Sequence, residues 1–279
     1  MEKLGLIAGG GALPADLARH CLAAGRPVFV LRLKGFADPE LAAFDGAEVG
    51  LGELGAAIEA LRSAGCRAVC LAGKVSRPDF AALAPDARGI AALPGALRAA
   101  RQGDDGLLRF FVGEFEREGF LVEGAHQVMA GLALPLGLLG SVGPAEDDRI
   151  DIARALEAAR AIGRLDIGQA AVSCRGLILA VEAQEGTDAM LARVAGLAPA
   201  VRGSDDRPRG VLAKAAKPGQ EMRVDLPTIG PSTLAAMARA GLVGIAGEAG
   251  RLLVVDRDTT RRLADELGLF VLGVAADSP

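Results

Sequence analysis

The first 125 residues alternate strand-length apolar runs with helical patterns, and this alternation constrains the fold more than any other feature. The pattern predicts strands over residues 3–8, 27–33 and 68–72, and helices over 14–24, 54–64 and 104–118. Short connections between such elements imply a parallel sheet with right-handed crossovers. We therefore predict an α/β fold that begins with a Rossmann-like, nucleotide-binding domain over residues 1–130. Ligands of such sheets lie at the carboxyl ends of the strands.

The pattern changes in the second half of the chain. We predict helices over residues 147–162, 187–195, 231–240 and 259–267, and strands over 169–173, 177–183, 211–216, 222–226, 251–256 and 269–274. The turn at Arg175-Gly176 indicates an antiparallel hairpin between two of these strands. A mixed α/β domain is therefore expected over residues 146–279.

A stretch without charge joins the two predicted domains. Residues 127–145 contain no ionised side chain, and their length just suffices to span a bilayer. Glycine and proline recur through the stretch and favour breaks over a continuous helix. We interpret residues 131–145 as a buried apolar connector that lines an apolar pocket.

The composition excludes some classes of function. The chain has 31 basic and 35 acidic residues, no basic block, and neither Trp nor Tyr, so nucleic-acid binding is not expected. Its four cysteines form no zinc pattern and are typical of a reduced, cytoplasmic protein. The N-terminus runs straight into a strand and does not read as a signal peptide.

A glycine-rich turn follows the first predicted strand. Gly9, Gly10, Gly11 and Ala12 precede a helix, whose free N–H groups and dipole favour a phosphate. Read as a dinucleotide motif, the turn has Pro14 at its third glycine position. A nucleotide phosphate site is thus favoured over an NAD site, and a merely tight turn is the remaining alternative.

A second glycine turn follows the strand over residues 68–72. Gly73 and Lys74 lead into Ser76 and Arg77, a combination that suits an anionic ligand or, equally, a solvated loop. The sequence G-x-x-x-x-G-K-[ST] is absent, which argues against an ATPase or GTPase.

Two polar segments of the second half are ambiguous by themselves. Asp166 and Gln169 are consistent with a structural turn as well as with a ligand site. Glu185, Thr187 and Asp188 flank a glycine turn before a helix, where Thr187 suits a helix cap and the acids suit the helix dipole. Two carboxylates beside a helix N-terminus also suit Mg²⁺ with phosphate.

The segment over residues 214–231 concentrates charge on a predicted strand–turn–strand pattern. Lys214, Lys217 and Arg223 suit phosphate oxygens, with Gln220 nearby, and Asp225 suits a metal or an attacking water. Alternation along the predicted strand would place Arg223 and Asp225 on one face. A surface hairpin with salt bridges is the alternative.

These segments together resemble the LpxI family of UDP-2,3-diacylglucosamine pyrophosphatases of lipid A biosynthesis. The resemblance spans nearly the whole chain, and its specific stretches are AGGGALP, AGKVSRPD, LDIGQ, EAQEGTDAM and VLAKAAKPGQEMRVDLPTIGPST. Glu221 departs from the pattern, in which Asp is expected. The resemblance implies a two-domain cytoplasmic homodimer that uses Mg²⁺ and water to give UMP and 2,3-diacylglucosamine 1-phosphate, and it places the catalytic aspartate at Asp225.

Three sets of site residues follow from the motifs and the resemblance. We expect catalytic roles for Asp225, Lys214 and Lys217, and metal ligation by Glu185, Asp188 and Asp225. Substrate contacts are expected at Gly9, Gly10, Gly11, Ala12, Gly73, Lys74, Asp166, Gln169, Thr187, Gln220 and Arg223. The expected partner is the lipid substrate, met through transient contact with the inner membrane surface. The alternatives are an NAD(P)-dependent oxidoreductase and a noncatalytic nucleotide- or lipid-binding protein.

Overall fold

A computed structural model describes residues 1–75, 83–101, 103–204 and 206–276 of the chain. Its residues group into two compact units. The first unit comprises Met1–Ala130 together with Glu221–Asp225, and the second comprises Gly131–Gln220 and Leu226–Pro279. The short segment Glu221–Asp225 therefore belongs to a different unit from the residues on either side of it, which the sequence did not predict.

The first unit is built on a parallel sheet. Its strands are β1 (Leu4–Ala8), β2 (Val28–Leu33), β3 (Gly46–Val49), β4 (Ala68–Ala72) and β5 (Leu121–Val122). They lie in the order β3-β2-β1-β4-β5, and every neighbouring pair runs parallel. The central strand β1 is buried along its whole length. The predicted Rossmann-like parallel sheet is confirmed.

Helices connect these strands. They are α1 (Ala12–Ala23), α2 (Leu54–Ser63), α3 (Ala87–Ala100), α4 (Asp104–Arg117) and α5 (Ala125–Val128). The periodicity predicted α1, α2 and α4. It missed α3, whose interior contains Gly89, Pro94 and Gly95, residues that weaken a helical signal. Asp86 caps this helix by accepting a hydrogen bond from the Gly89 N–H at 2.7 Å.

The core of the first unit lies between the sheet and the apolar faces of α2 and α4. Ile58 and Leu61 of α2 pack with Phe115 of α4 against strand residues such as Leu31 and Val69. Burial of such side chains contributes roughly 1.5–3 kcal/mol each. This packing fixes where the strands end and therefore where the loops at their carboxyl ends lie.

The second unit contains a mixed sheet. Its strands are β6 (Gly137–Leu138), β7 (Ala170–Cys174), β8 (Leu177–Val181), β9 (Val211–Lys214), β10 (Thr228–Ile229), β11 (Gly244–Glu248), β12 (Leu253–Val254) and β13 (Phe270–Val274). The main sheet has the order β6-β13-β11-β9-β7-β8, while β10 pairs with β12. The strands β9, β11 and β13 are mutually parallel, and β7 and β8 form the predicted antiparallel hairpin. The predicted mixed α/β fold is confirmed.

Helices cover both faces of the second sheet. They are α6 (Asp148–Arg164), α7 (Gly186–Ala195), α8 (Pro231–Arg239) and α9 (Arg257–Glu266). Alternate strand residues face opposite sides. Leu212 and Ile245 join a core that includes residues of α7, α8 and α9, whereas Ala213 and Ala246 pack with residues of α6. The two faces are therefore chemically distinct, with small residues under α6.

The predicted strand over residues 222–226 is wrong. Residues 222–224 form a turn, in which the N–H groups of Val224 and Asp225 both donate to the Glu221 carbonyl at 3.0 Å. The Glu221 carboxylate also accepts the Arg223 backbone N–H at 3.2 Å. Such local side-chain-to-backbone bonds compete with a strand ladder, so the argument that Arg223 and Asp225 share a strand face does not hold.

Residues 131–145, all of which the structure describes, contain no α-helix, as the glycine and proline content predicted, but strand β6 lies within them. The connector is buried in part: Leu132, Leu134 and Leu139 are buried, whereas Leu136 and Leu138 are exposed. Within the residues that the structure describes, none of the helices has the length and hydropathy required to cross a membrane.

Candidate functional site

Two glycine turns meet at the carboxyl edge of the first sheet. They follow β1 and β4, which are hydrogen-bonded neighbours. The Gly10 N–H donates to the Lys74 carbonyl at 2.9 Å, and the Lys74 N–H donates to the Gly10 carbonyl at 2.8 Å. The structure thus joins the Gly9–Ala12 and Gly73-Lys74 motifs, which the sequence treated separately. Ser76 and Arg77 of the second motif lie outside the described residues.

Glycine is required where these turns touch. A Cβ on Gly9 would lie 2.6 Å from the Lys74 carbonyl oxygen, and one on Gly73 would lie 2.8 Å from that of Gly10. Gly73 also has a φ of 94°, which L side chains rarely adopt. The edge is therefore built from backbone in close contact, and its polar groups are N–H and C=O groups.

Gly11 differs from its neighbours because the space beside it is open. An added Cβ would meet nothing within 4 Å, although φ is 90°. Its N–H, at the start of α1, donates to the Asp38 carboxylate at 2.6 Å. The Asp38 carboxylate thus accepts a hydrogen bond at the N-terminus of a helix, which is a position where anions bind favourably. Asp38 lies in the loop after β2, and sequence reasoning missed it.

Charged side chains gather at the carboxyl edge of the second sheet. Lys214 is the last residue of β9, and Glu248 is the last residue of the parallel neighbour β11. Both side chains are buried, with residue exposures of 5% and 6%. The Lys214 Nζ donates to the Thr228 carbonyl at 3.1 Å, and Glu248 accepts from the Arg160 Nε at 3.0 Å. Buried charges cost free energy unless they are paired, which marks this edge as a candidate site.

Sequence reasoning missed Glu248 because it missed β11, and it missed Arg160 of α6 because the partner of this arginine is Glu248. The strand reads Gly-Ile-Ala-Gly-Glu, and its glycines and alanine weaken the strand signal. The signal that was available is a carboxylate at the end of a short run of small and apolar residues.

A buried carboxylate, Glu182, lies at the same edge of the sheet, where β8 ends beside the start of β7. Glu182, which follows β8, is 6% exposed. Its carboxylate accepts the Gln169 N–H at 3.0 Å and the Thr187 hydroxyl at 2.5 Å. Gln169 Oε1 is buried and has no hydrogen-bond partner among the described atoms. An unsatisfied buried acceptor of this kind is consistent with a ligand that donates a hydrogen bond to it.

Thr187 has a different role from the predicted helix cap. The helix α7 begins at Gly186, its N-cap residue is Glu185, and no side-chain hydrogen bond caps it. The hydroxyl of Thr187 is instead committed to Glu182. Thr187 can reach Glu182 because a turn at Gly186 brings the start of α7 close to the end of β8.

Two of the motifs that were ambiguous in the sequence are joined by an ion pair. The Lys217 Nζ lies 2.7 Å from the Asp166 Oδ1, and the Lys217 N–H donates to the Gln220 Oε1 at 2.8 Å. Asp166 has a φ of 54°, a left-handed conformation that short polar residues tolerate. Asp166, Gln169, Lys217 and Gln220 therefore belong to the same region of the second unit.

Arg223 and Asp225 belong to the first unit. The Arg223 guanidinium is bound by Glu221 at 2.8 Å and by Glu116 at 2.7 Å. The hydrogen bond from Arg223 lowers the pKa of Glu221, so this carboxylate is ionised at neutral pH. These pairs hold the turn that carries Asp225. Glu221, the residue that departs from the family pattern, therefore stabilises the turn that carries Asp225, the predicted catalytic aspartate.

The predicted metal ligands do not form a preformed cage. Among the described residues, no group of three or more His, Cys, Asp and Glu side chains is arranged to hold a metal ion. Glu185 pairs with Arg193 at 2.5 Å, and its pKa is lowered by backbone hydrogen bonding and by that arginine. Asp188 is exposed. The donor set fits Mg²⁺ held by one or two carboxylates plus substrate oxygens, and Glu185 fits it less well than Asp188.

Comparison with known proteins extends over nearly the whole chain. Residues 3–132 match the LpxI N-terminal domain family, and residues 135–272 match the LpxI C-terminal domain family. The chain is also similar to the UDP-2,3-diacylglucosamine pyrophosphatase LpxI of Caulobacter vibrioides. The two are 64% identical over 274 residues, which cover 98% of each.

Proposed function

The chain belongs to the LpxI family, and on this premise we propose that it hydrolyses UDP-2,3-diacylglucosamine to UMP and 2,3-diacylglucosamine 1-phosphate. The observation that carries the proposal is 64% identity to a pyrophosphatase named for this substrate, spread over both units. The comparisons give no support to an oxidoreductase or to a noncatalytic binding protein.

The proposed reaction transfers a phosphoryl group to water. The water oxygen forms a new bond to phosphorus, the bridging P–O bond breaks, and its electron pair stays on the departing phosphate. The water proton is released to solvent or to a base. Because the reacting group is strongly anionic, the protein contributes mainly position and electrostatic stabilisation.

We assign the binding of the nucleotide half to the first unit. The N–H groups of Gly10 and Lys74 hold the two turns together, so we assign the phosphate to the Gly11 N–H, which Asp38 binds in this structure, and to the first N–H groups of α1. This assignment is supported by the close contact of the two turns and by the carboxylate that Gly11 already binds. The buried acceptor of Gln169 suits a hydroxyl or amide N–H of the sugar half.

We assign the chemistry to Asp225 and the lysines. Asp225 would orient the attacking water by accepting its hydrogen bond. Lys214 and Lys217 would oppose the negative charge that develops on the phosphate oxygens. Lys214 is supported by its burial, since an ammonium shielded from water interacts more strongly with charge than an exposed one.

We propose Mg²⁺ as the cofactor, with Asp225, Asp188 and, less favoured, Glu185 as its candidate carboxylate ligands. When bound, the ion would polarise the diphosphate and neutralise part of its charge. EDTA should then abolish UMP release, and Mg²⁺ or Mn²⁺ should restore it. Full turnover in metal-free buffer would leave Glu185 and Asp188 as helix-start residues only.

We further propose that the protein acts in the cytoplasm as a homodimer. The cytoplasmic assignment is supported by four cysteines that are all free and buried, as expected for a reducing compartment. Sedimentation at working concentration tests the dimer.

The decisive assay follows UMP release from purified substrate. Wild-type protein with Mg²⁺ should release one UMP for each 2,3-diacylglucosamine 1-phosphate formed. UDP-N-acetylglucosamine, which lacks the two acyl chains of the substrate, should be a poor substrate, because buried CH₂ groups contribute roughly 0.8 kcal/mol each. Equal kcat/KM for the two compounds would indicate a general nucleotide-sugar hydrolase instead.

A further inference from the structure

The helix α3 has an unusual composition for a surface helix. It contains alanine, glycine, leucine, isoleucine and proline, together with Arg88 and Arg98, and no acidic residue. The whole chain has a net charge of −4, whereas this helix is positively charged. A helix without acidic or neutral polar residues is normally buried on most of its surface.

One face of α3 is packed tightly against the first unit. A Cβ on Gly89 would lie 2.0 Å from the Gly52 carbonyl oxygen, and one on Gly95 would lie 2.5 Å from the Phe110 ring. Ala92 and Leu93 line an apolar cleft on this inner side, together with residues such as Phe111. The inner face therefore already has apolar partners.

The opposite face of α3 presents apolar side chains to solvent. Ile90 is 59% exposed and Leu97 is 39% exposed. Seven residues separate them, which is two helical turns, so they lie on one side with exposed Pro94 between them. Exposed apolar residues that are aligned in a stripe, rather than scattered, mark an interaction surface.

Cations flank this stripe at its C-terminal end. Arg98 and Arg101 are exposed, and neither forms an ion pair with any residue that the structure describes. Arg88, at the other end, is bound by Glu114 and Glu118 of α4. An apolar stripe beside two exposed arginines is complementary to a surface that is apolar inside and anionic outside.

We propose that the outer face of α3 docks on an anionic phospholipid bilayer. Ile90, Pro94 and Leu97 enter the boundary between headgroups and acyl chains, while Arg98 and Arg101 contact lipid phosphates. The axis of α3 would then lie in the plane of the membrane, with its inner face still packed against the first unit. The inference goes beyond the proposed function, and it rests on it in one respect: a diacylated substrate is itself held in a membrane.

Vesicle binding without substrate tests the proposal directly. The full-length protein is sedimented with vesicles of phosphatidylglycerol and phosphatidylethanolamine, and with vesicles of phosphatidylcholine alone. We expect binding to the anionic vesicles that weakens as salt rises. Arg98→Glu should weaken it at least fivefold, because a basic residue near an anionic surface contributes ~1 kcal/mol. Leu97→Glu should weaken it by a similar factor or more.

Two matched variants serve as controls. Leu22→Glu changes a 55% exposed leucine on α1, and Arg67→Glu reverses an exposed arginine at the start of β4. Both should bind vesicles as the wild type does. All variants alter exposed side chains of the first unit, and circular dichroism confirms that each is folded.

Three outcomes would overturn the docking surface. They are equal binding of wild type and both α3 variants, no preference of wild type for anionic vesicles, and a change of oligomeric mass in the α3 variants with unchanged vesicle binding. The last would identify the face as a contact between copies of the chain.

UMP release from detergent-dispersed substrate is measured in parallel, and it should be unaffected in both α3 variants. Its absence in wild type would refute the proposed function and leave the vesicle result intact.

Discussion

The carboxyl edges of the two sheets are built from different materials. At the first edge, Gly9, Gly10 and Gly73 bring backbone into contact, and the functional groups are peptide N–H and C=O. At the second edge, Lys214, Glu182 and Glu248 place charged side chains where they are 5–6% exposed. The first edge suits binding of an anion, and the second suits stabilisation of changing charge.

The energetic cost of the two edges differs accordingly. A backbone edge needs glycine but buries no charge, whereas a buried charge costs several kcal/mol before its partners offset it. Burial alone does not indicate function, as Asp151 shows. Its carboxylate is 4% exposed and accepts hydrogen bonds from Ser173 Oγ and from the N–H groups of Arg175 and Gly176, so it closes the β7–β8 hairpin. Gln169 is the informative contrast, because its buried oxygen is left without a partner.

The largest expected effect is that of Asp225→Ala on catalysis. Loss of the group that positions water or metal should lower kcat on the order of 10³-fold, several kcal/mol of transition-state stabilisation. Substrate binding should change less, because the nucleotide and the acyl chains do not depend on this carboxylate. Steady-state kinetics and calorimetric titration measure the two separately. A variant that retains more than about a tenth of wild-type kcat, a deficit of ~1.4 kcal/mol, would show that Asp225 is not catalytic.

Lys214→Met should have the next largest effect. Methionine keeps most of the volume and removes the charge at the end of β9, so kcat should fall on the order of 10²-fold, as for loss of one preorganised donor. Lys217→Met is the matched comparison, because Lys217 is already paired with Asp166. We expect a smaller loss for Lys217→Met. If Lys214→Met is folded and nearly fully active, the second edge is structural.

Gly11→Val tests the backbone edge and should weaken substrate affinity about tenfold, or ~1.4 kcal/mol. The valine side chain has room, but a φ of 90° strains it and should displace the N–H groups of the turn. Gly25→Val is the control, because Gly25 has a φ of 71° and equally open surroundings at the far end of α1. Both variants should lose similar thermal stability. Equal substrate affinity in the two would remove the turn from the site.

The smallest expected effect is a gain from Asp38→Ala. Removing the carboxylate that Gly11 binds should free this N–H for a phosphate and lower KM a few-fold, which corresponds to roughly 1 kcal/mol or less. Asp45→Ala is the control, since Asp45 is an exposed acid of the same unit that pairs with Lys3. A raised KM in Asp38→Ala alone would mean that Asp38 contacts the substrate itself.

Local patterns predicted a large part of the fold. The strands β1, β2 and β4 lie where the apolar runs placed them, because each is apolar over most of its length and β1 is buried throughout. Among the elements that were missed, β3, β11 and α3 are short or rich in glycine and alanine, so that tertiary packing rather than propensity forms them. The strand predicted over residues 222–226 failed because Glu221 binds the backbone that follows it.

The sequence by itself determined the class of fold, the two glycine turns at strand ends, and the family to which those motifs point. Only the tertiary structure decided which motifs meet. It joins Gly10 to Lys74 and Asp166 to Lys217 by hydrogen bonds. It also assigns Asp225 to the first unit, although the residues before 221 and after 225 belong to the second. The physical reason is range: periodicity and turn chemistry act over a few residues, whereas these contacts close long loops and are selected by the packing of the sheets.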